Sequence, residues 1–242
     1  MLNLSKLISS IKMDLGVYGM ALPFENPDEM FREVLELKTI PTFSQFQPYY
    51  LPLKLDLDTL KEIEKNVNYC IYEIPDVFGD AEILFVKKLE EDLDSFTHGY
   101  LDVGAMMGNM SWGDMMMGQA NANLASLAMP PVTFEYIAPK QIKIFNDSFM
   151  YSRKIRLEVA LEHNKNLATI SKTAQYSFTK LATLDIKMML YNNLKHYNDL
   201  QTAFGNINLK IDDWANAESE RSELLRQWED TYHMDIAQFI II

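Results

Sequence analysis

Cysteine is almost absent. Cys70 stands alone in 242 residues, so the chain builds no internal disulfide framework and no multi-cysteine metal site. Together these point to a soluble protein kept in a reducing compartment. No apolar stretch approaches the length of a membrane-spanning helix. The segment Met1 to Leu15 carries lysines but is amphipathic. It has neither the apolar h-region nor the cleavage site of a signal peptide. Positive charge is also short: Lys and Arg total 22 against 34 Asp and Glu, a formal net charge of −12. Such a chain has no general attraction for nucleic acid or anionic membranes.

Catalytic signatures are missing as well. There is no G-x-S-x-G elbow, no Walker loop and no G-x-G-x-x-G after a strand. The four histidines, His98, His163, His196 and His233, show no two-histidine metal spacing; Glu162 and His163 lack a second ligand nearby. Each reads as a surface or packed residue. Cys70, inside Asn68-Tyr69-Cys70-Ile71-Tyr72, reads as a buried inert thiol, since nothing local lowers its pKa. Glu90, Glu91, Asp92 and Asp94 form a charge run expected at a solvated turn. Asp212 and Asp213 suit a helix cap. Arg153, Lys154 and Arg156, and Lys87 with Lys88, lack the interleaved aromatics of a single-strand platform. The expected catalytic residues, metal ligands and cofactors are therefore none. A hydrolase assembled from carboxylates distant in sequence is the alternative from another class.

What is present is a large apolar fraction, 48%, with 12% aromatics, enough for one sizeable core or two small ones. Leu4, Leu7, Ile8 and Ile11 predict an amphipathic helix over Leu2 to Met13. Asn26 followed by Pro27, with Asp28 and Glu29 in the first turn, predicts a second helix with Met30, Phe31, Val34 and Leu35 on its apolar face. From Ile40 to Leu57 the pattern reads as extended, broken by Pro41, Pro48 and Pro52. Leu51, Leu53, Leu55 and Leu57 alternate with polar residues as in a strand wet on one face. Val67 to Ile74 and Ala81 to Leu89 read as further strands, as do Val132 to Ile137 and Ile142 to Phe145. The clearest strand places Ile155, Leu157, Val159 and Leu161 on a buried face.

The C-terminal third reads as helical. Ser171 to Tyr197 carries too many apolar residues for one narrow stripe, so this helix is expected to be buried on more than one side. Ile207, Leu209 and Ile211 suggest a short strand. A last helix is expected from Trp214 to about Tyr232. Trp214, Ala217, Leu224, Leu225 and Trp228 form its apolar side; Glu218, Glu220, Arg221, Glu223 and Arg226 form its charged side. The fold class is α+β, with antiparallel strands in the N-terminal and middle parts and long helices in the C-terminal third. Three segments follow from composition: 1–103, 104–131 and 132–242.

The middle segment is compositionally distinct. Met106, Met107, Met110, Met115, Met116, Met117 and Met129 lie among glycine, alanine and asparagine, with Asp114 the one charge. Methionine adapts to more than one surface and glycine loosens the backbone. This reads as an arm that orders against another chain; a loop without a role is the competing reading. A copper-binding cluster finds no Cys or His partner here. Phe239, Ile240, Ile241 and Ile242 form an apolar end expected to be tucked into a core or added to a sheet. Together with Met106, Met107, Met110, Met115, Met116 and Met117 they are the candidate interface residues.

The C-terminal part has a recognisable texture. It runs from Tyr151-Ser152-Arg153 to His163-Asn164-Lys165-Asn166-Leu167, then Leu181-Ala182-Thr183-Leu184-Asp185-Ile186-Lys187 and Leu190-Tyr191-Asn192-Asn193-Leu194. It continues through Phe204-Gly205 and Leu209-Lys210-Ile211-Asp212-Asp213-Trp214 to Ala217-Glu218-Ser219-Glu220-Arg221. This resembles virion structural proteins of large tailed bacteriophages, of the head–tail connector (neck) or baseplate type, over about the last 90 residues. The resemblance implies a structural subunit that forms or joins a homo-oligomeric ring at the neck between capsid portal and tail. A baseplate or tail component is the alternative. It implies neighbouring virion proteins (portal, neck or tail subunits) as partners, at most passive contact with passing DNA, no membrane, and location in the virion after assembly in the host cytoplasm. No functional residue transfers with it. Apart from the resemblance, the methionine surface also fits a regulatory binding module of the calmodulin kind.

Overall fold

In a computed structural model, the residues described are 3–19, 22, 24–79, 81–92, 132–146, 150, 152–195, 200–202, 205–207 and 211–237. The chain forms two compact units. Unit 1 comprises 1–49 and 161–242; unit 2 comprises 50–160 and is an insertion within it. Each unit therefore groups residues that the composition-based segments 1–103 and 132–242 assign separately, because tertiary contacts join the two ends of the chain.

Unit 1 is helical. Helix α1, Leu4–Asp14, is capped by Asn3, whose side chain accepts the Ser5 N–H at 3.0 Å, and it buries Leu7, Ile8 and Ile11. Helix α2, Pro27–Val34, begins with proline where the missing N–H has no intrahelical partner to lose, with Asp28 and Glu29 at the positive end of its dipole. It runs on without a break into a π turn, Leu35–Thr39, and helix α3, Ile40–Phe46.

The expected extended run beginning at Ile40 is thus corrected: residues 40–46 are helical and the strand starts at Tyr49. The reason lies in packing. Phe31, Leu35, Ile40 and Phe43 are all fully buried, and the extra residue of the π turn keeps them on one side across the Leu35–Ile40 step. Pro41 sits at the start of α3, where its missing N–H is tolerated.

Helix α4, Gln175–Leu194, buries Phe178, Leu181, Ala182, Leu184, Ile186 and Leu190. These positions cover more than one side, as its composition requires. Residues 211–214 form a 3-10 turn, and helix α5 spans Ala217–Ala237. The last helix therefore starts after Trp214, and Ile211 belongs to the turn, not to a strand. Phe43 stands at the centre of the core. Its ring lies edge-on to Phe178 at 5.2 Å and to Trp228 at 5.8 Å. Such pairs add about 0.5–1.5 kcal/mol beyond their buried area.

Unit 2 holds two sheets. Strands β1 (Tyr49–Asp56), β4 (Ile83–Glu91) and β7 (Lys154–Leu161) form one, in the order β1-β7-β4. Leu57 N–H donates to Arg153 O and Asp92 N–H to Lys154 O. The ends of β1 and β4 both meet the start of β7, so β7 runs antiparallel to each. Ile155, Leu157, Val159 and Leu161 are buried as the alternation predicts. Strands β2 (Glu62–Lys65), β3 (Tyr69–Glu73), β5 (Phe134–Ile137) and β6 (Gln141–Phe145) form the second, antiparallel sheet, in the order β2-β3-β6-β5. Cys70 faces Ile144 and Tyr72 faces Ile142 across its centre, and all four are fully buried. Strand β2 is exposed along its length and carries Glu62, Glu64 and Lys65, charges that blunt an edge against stray pairing. A short hairpin, β8 (Leu200–Thr202) with β9 (Gly205–Ile207), completes the described residues.

Candidate functional site

The candidate interface residues Met106, Met107, Met110, Met115, Met116 and Met117, and Phe239, Ile240, Ile241 and Ile242, lie outside the described residues. His98, His196 and Asp94 do as well. Among the described residues no three His, Cys, Asp or Glu side chains gather to hold a metal ion, and no helix is long and apolar enough to cross a membrane.

The carboxylates expected at a solvated turn are placed differently. Glu90 and Glu91 belong to β4. Asp92 is largely buried, 3.0 Å from Lys54 Nζ and 3.6 Å from Arg156 Nη2. Glu91 accepts the Ser152 N–H at 2.8 Å. The run pins the start of β7 to the end of β4. The hollow beside it, about 290 Å³, is lined by Lys54, Leu55, Asp56, Asp92 and Lys154, and of its acids Asp92 already faces cations.

The densest polar junction is one that no motif announces. Asp185 of α4 is fully buried among helices. Its Oδ1 receives Arg221 Nε at 2.7 Å and Lys38 Nζ at 3.2 Å; its Oδ2 accepts the Thr39 hydroxyl at 2.9 Å. Arg221 also donates to Thr42 Oγ1 at 3.2 Å. The carboxylate thus ties the π turn, α4 and α5 together, and Arg221 extends the junction to α3. Arg221, expected on the charged face of α5, instead points inward. Its place was readable from spacing: it lies four residues after Ala217 and three before Leu224, both buried. Asp185 left a weaker signal, a lone acid between Leu184 and Ile186.

His163 is buried against Phe43, with ring centroids 5.5 Å apart. Its Nε2 lies 2.7 Å from Gln47 O and its Nδ1 lies 2.8 Å from Thr169 Oγ1. The carbonyl can only accept, so Nε2 carries the proton and Nδ1 accepts the Thr169 hydroxyl. Burial pushes the imidazole below its ordinary pKa, and the Gln47 carbonyl opposes this more weakly. Of the two readings its sequence leaves open, surface or packed, it is the packed one, and it holds the chain after β7 against α3.

Two of the solvent-facing helix surfaces differ in charge. Along α4, Tyr176, Lys180 and Lys195 are exposed, and Thr183, Lys187 and Tyr191 are half-buried. The outward face of α5 carries Glu218, Glu220, Glu223, Glu229 and Asp230, all exposed. Its Arg226 is gripped by Glu223 at 2.9 Å and Asp230 at 3.2 Å. The Arg226 hydrogen bond holds Glu223 at about 2, so Glu223 stays ionised at neutral pH. The groove beside it, about 570 Å³, is open to solvent and lined by Ala215, Asn216, Glu218, Ser219, Ser222, Glu223 and Arg226.

These features describe a molecule whose buried polar groups serve its own architecture and whose distinctive chemistry lies on helix surfaces. No curated protein matches the chain. A family model described as bacteriophage ring protein matches residues 1–237. The chain belongs to the bacteriophage ring protein family.

Proposed function

We propose that this protein is a structural subunit of a phage particle that forms or joins a ring at the neck, between capsid portal and tail, and that it works by assembly and not by catalysis. The family match along residues 1–237 carries this reading. The net charge of −12 supports a place on the DNA path, because a like-charged wall lets phosphates slide past without sticking. Its partners are further copies of the chain and the portal, neck or tail subunits on either side, met in the host cytoplasm and retained in the virion. Met106 to Met117 and Phe239 to Ile242 are proposed contact segments on the strength of their composition alone. Electron cryomicroscopy of purified virions, with an antibody to this chain, tests the placement. Density and label at the portal–tail junction are expected. Label at the distal end of the tail overturns the neck in favour of the baseplate, and its absence from virions overturns the structural role.

A further inference from the structure

We infer that the outward stripe of α4, with Lys180, Lys187 and Lys195 flanked by Tyr176 and Tyr191, is the surface on which the acidic face of α5 from a second copy of this chain docks. The inference rests on the ring reading above and names the contact that propagates the ring.

The stripe is unusual in this protein. Its residues recur at steps of four and seven and so line one side of the helix. In a chain of net charge −12, that side carries lysines and no acid; the one acid of α4 is Asp185, fully buried. Among the described residues, Lys172, just ahead of the helix, and Lys180 and Lys187 have no ion-pair partner. Tyr176 is 78% exposed. Tyrosine is enriched at protein interfaces, and Lys195 already lies over the Tyr191 ring at 6.0 Å.

The matching surface exists on the same unit. The outward face of α5 is the acidic one, with Arg226 consumed internally by Glu223 and Asp230. Within one copy the two faces do not meet. Helix α5 clasps α4 on the Asp185 side through Arg221, about 140° around the helix from Lys180. Its own buried side carries Ala217, Leu224 and Trp228. The acidic face therefore points away from the stripe of its own copy and is free to meet another.

Charge decides in favour of a second copy. Like-charged subunits repel as wholes, so they associate only where local patches are complementary. The two patches are different surfaces. A contact between them is head-to-tail, and head-to-tail contacts build rings when the rotation closes, whereas a self-complementary patch stops at a dimer.

The test uses the full chain and its charge reversals, with folding checked by circular dichroism. One variant is Lys180→Glu with Lys187→Glu; a second is Glu218→Lys with Glu229→Lys. Assembly is followed by light scattering and negative-stain imaging over a concentration series. Each variant alone is expected to raise the concentration of half-assembly at least about tenfold. An equimolar mixture of the two is expected to form mixed oligomers, and a chain carrying all four reversals is expected to recover the wild-type assembly. Unchanged assembly of the folded variants overturns the α4–α5 contact and leaves the ring reading standing. A wild type that stays monomeric, with a mixture that also stays monomeric, overturns both. If the lysine variant instead loses retention of a short DNA duplex with assembly intact, the stripe is a phosphate contact and the inference fails.

Discussion

Asp185 shows how much one side chain is asked to do here. It receives Arg221, Lys38 and Thr39, with its own carboxylate fully out of water. A buried ion pair is weak evidence of net stabilisation, but removing one partner strands the others. Asp185→Ala is expected to cost about 3–5 kcal/mol in urea unfolding, because the largely buried Arg221 loses its counter-charge. Arg221→Leu is expected to cost less, since Lys38 still faces the carboxylate. His163 makes a pH-dependent case. Its folded pKa lies below the ordinary value, so the unfolded chain binds its proton first as pH falls. Its stabilising contribution is complete above the unfolded pKa of about 6.5 and declines as pH drops below it toward the folded value. The midpoint of urea unfolding is expected to fall between pH 7 and pH 5 for this reason. His163→Gln is expected to flatten that slope, and an unchanged slope assigns it to other groups. The burial of Cys70 could be read from its apolar neighbours, whereas His163, between Glu162 and Asn164, could be read only as a surface or packed residue. Asp185 could not be read as a junction, because its partners lie 36 and 146 residues away.

At the scale of elements, periodicity located the helices and strands better than composition did. The alternation in β1 and β7 and the apolar spacing in α1, α2 and α4 match the structure because each is a local rule about which side faces water. Residues 40–46 went the other way: their aromatic and proline content suggests a strand, yet Ile40 and Phe43 continue the buried side of α2 through a π turn. Tertiary burial overrides β propensity there. Two residues of this run separate the effects. Phe43→Ala is expected to cost about 3–5 kcal/mol in urea unfolding, since the ring is fully buried against Phe178, Trp228 and His163. Leu37, 80% exposed on the π turn, is expected to tolerate Ala within about 0.5 kcal/mol. Equal costs at both positions would contradict the helical placement of this segment. Strands β2 and β8 escaped notice because β2 is wet on every residue and β8 spans three; neither leaves a pattern.

For the molecule as a whole, charge is the dominant sequence property. At a net −12 the isolated subunit is expected to show no gel-shift retention of duplex DNA at physiological salt, weaker than about 10⁻⁴ M; tight retention would contradict a passive DNA path. Charge also makes assembly selective, since only matched patches overcome the repulsion.

Length, charge, the lone cysteine and the periodic segments settled the α+β class, the absence of disulfides and the positions of most elements. These are sums or local patterns, so no knowledge of distant contacts is needed to read them. The resemblance in the C-terminal part pointed to phage particles, and the family match over residues 1–237 carries it to the bacteriophage ring family. Tertiary structure alone decided that unit 2 is inserted between the two parts of unit 1, that Asp185 gathers Arg221, Lys38 and Thr39, and that Arg221 sets α5 on the Asp185 side of α4. Each of these depends on which distant segments pack together, and that choice is made by burial summed over the whole core, beyond the reach of any local window.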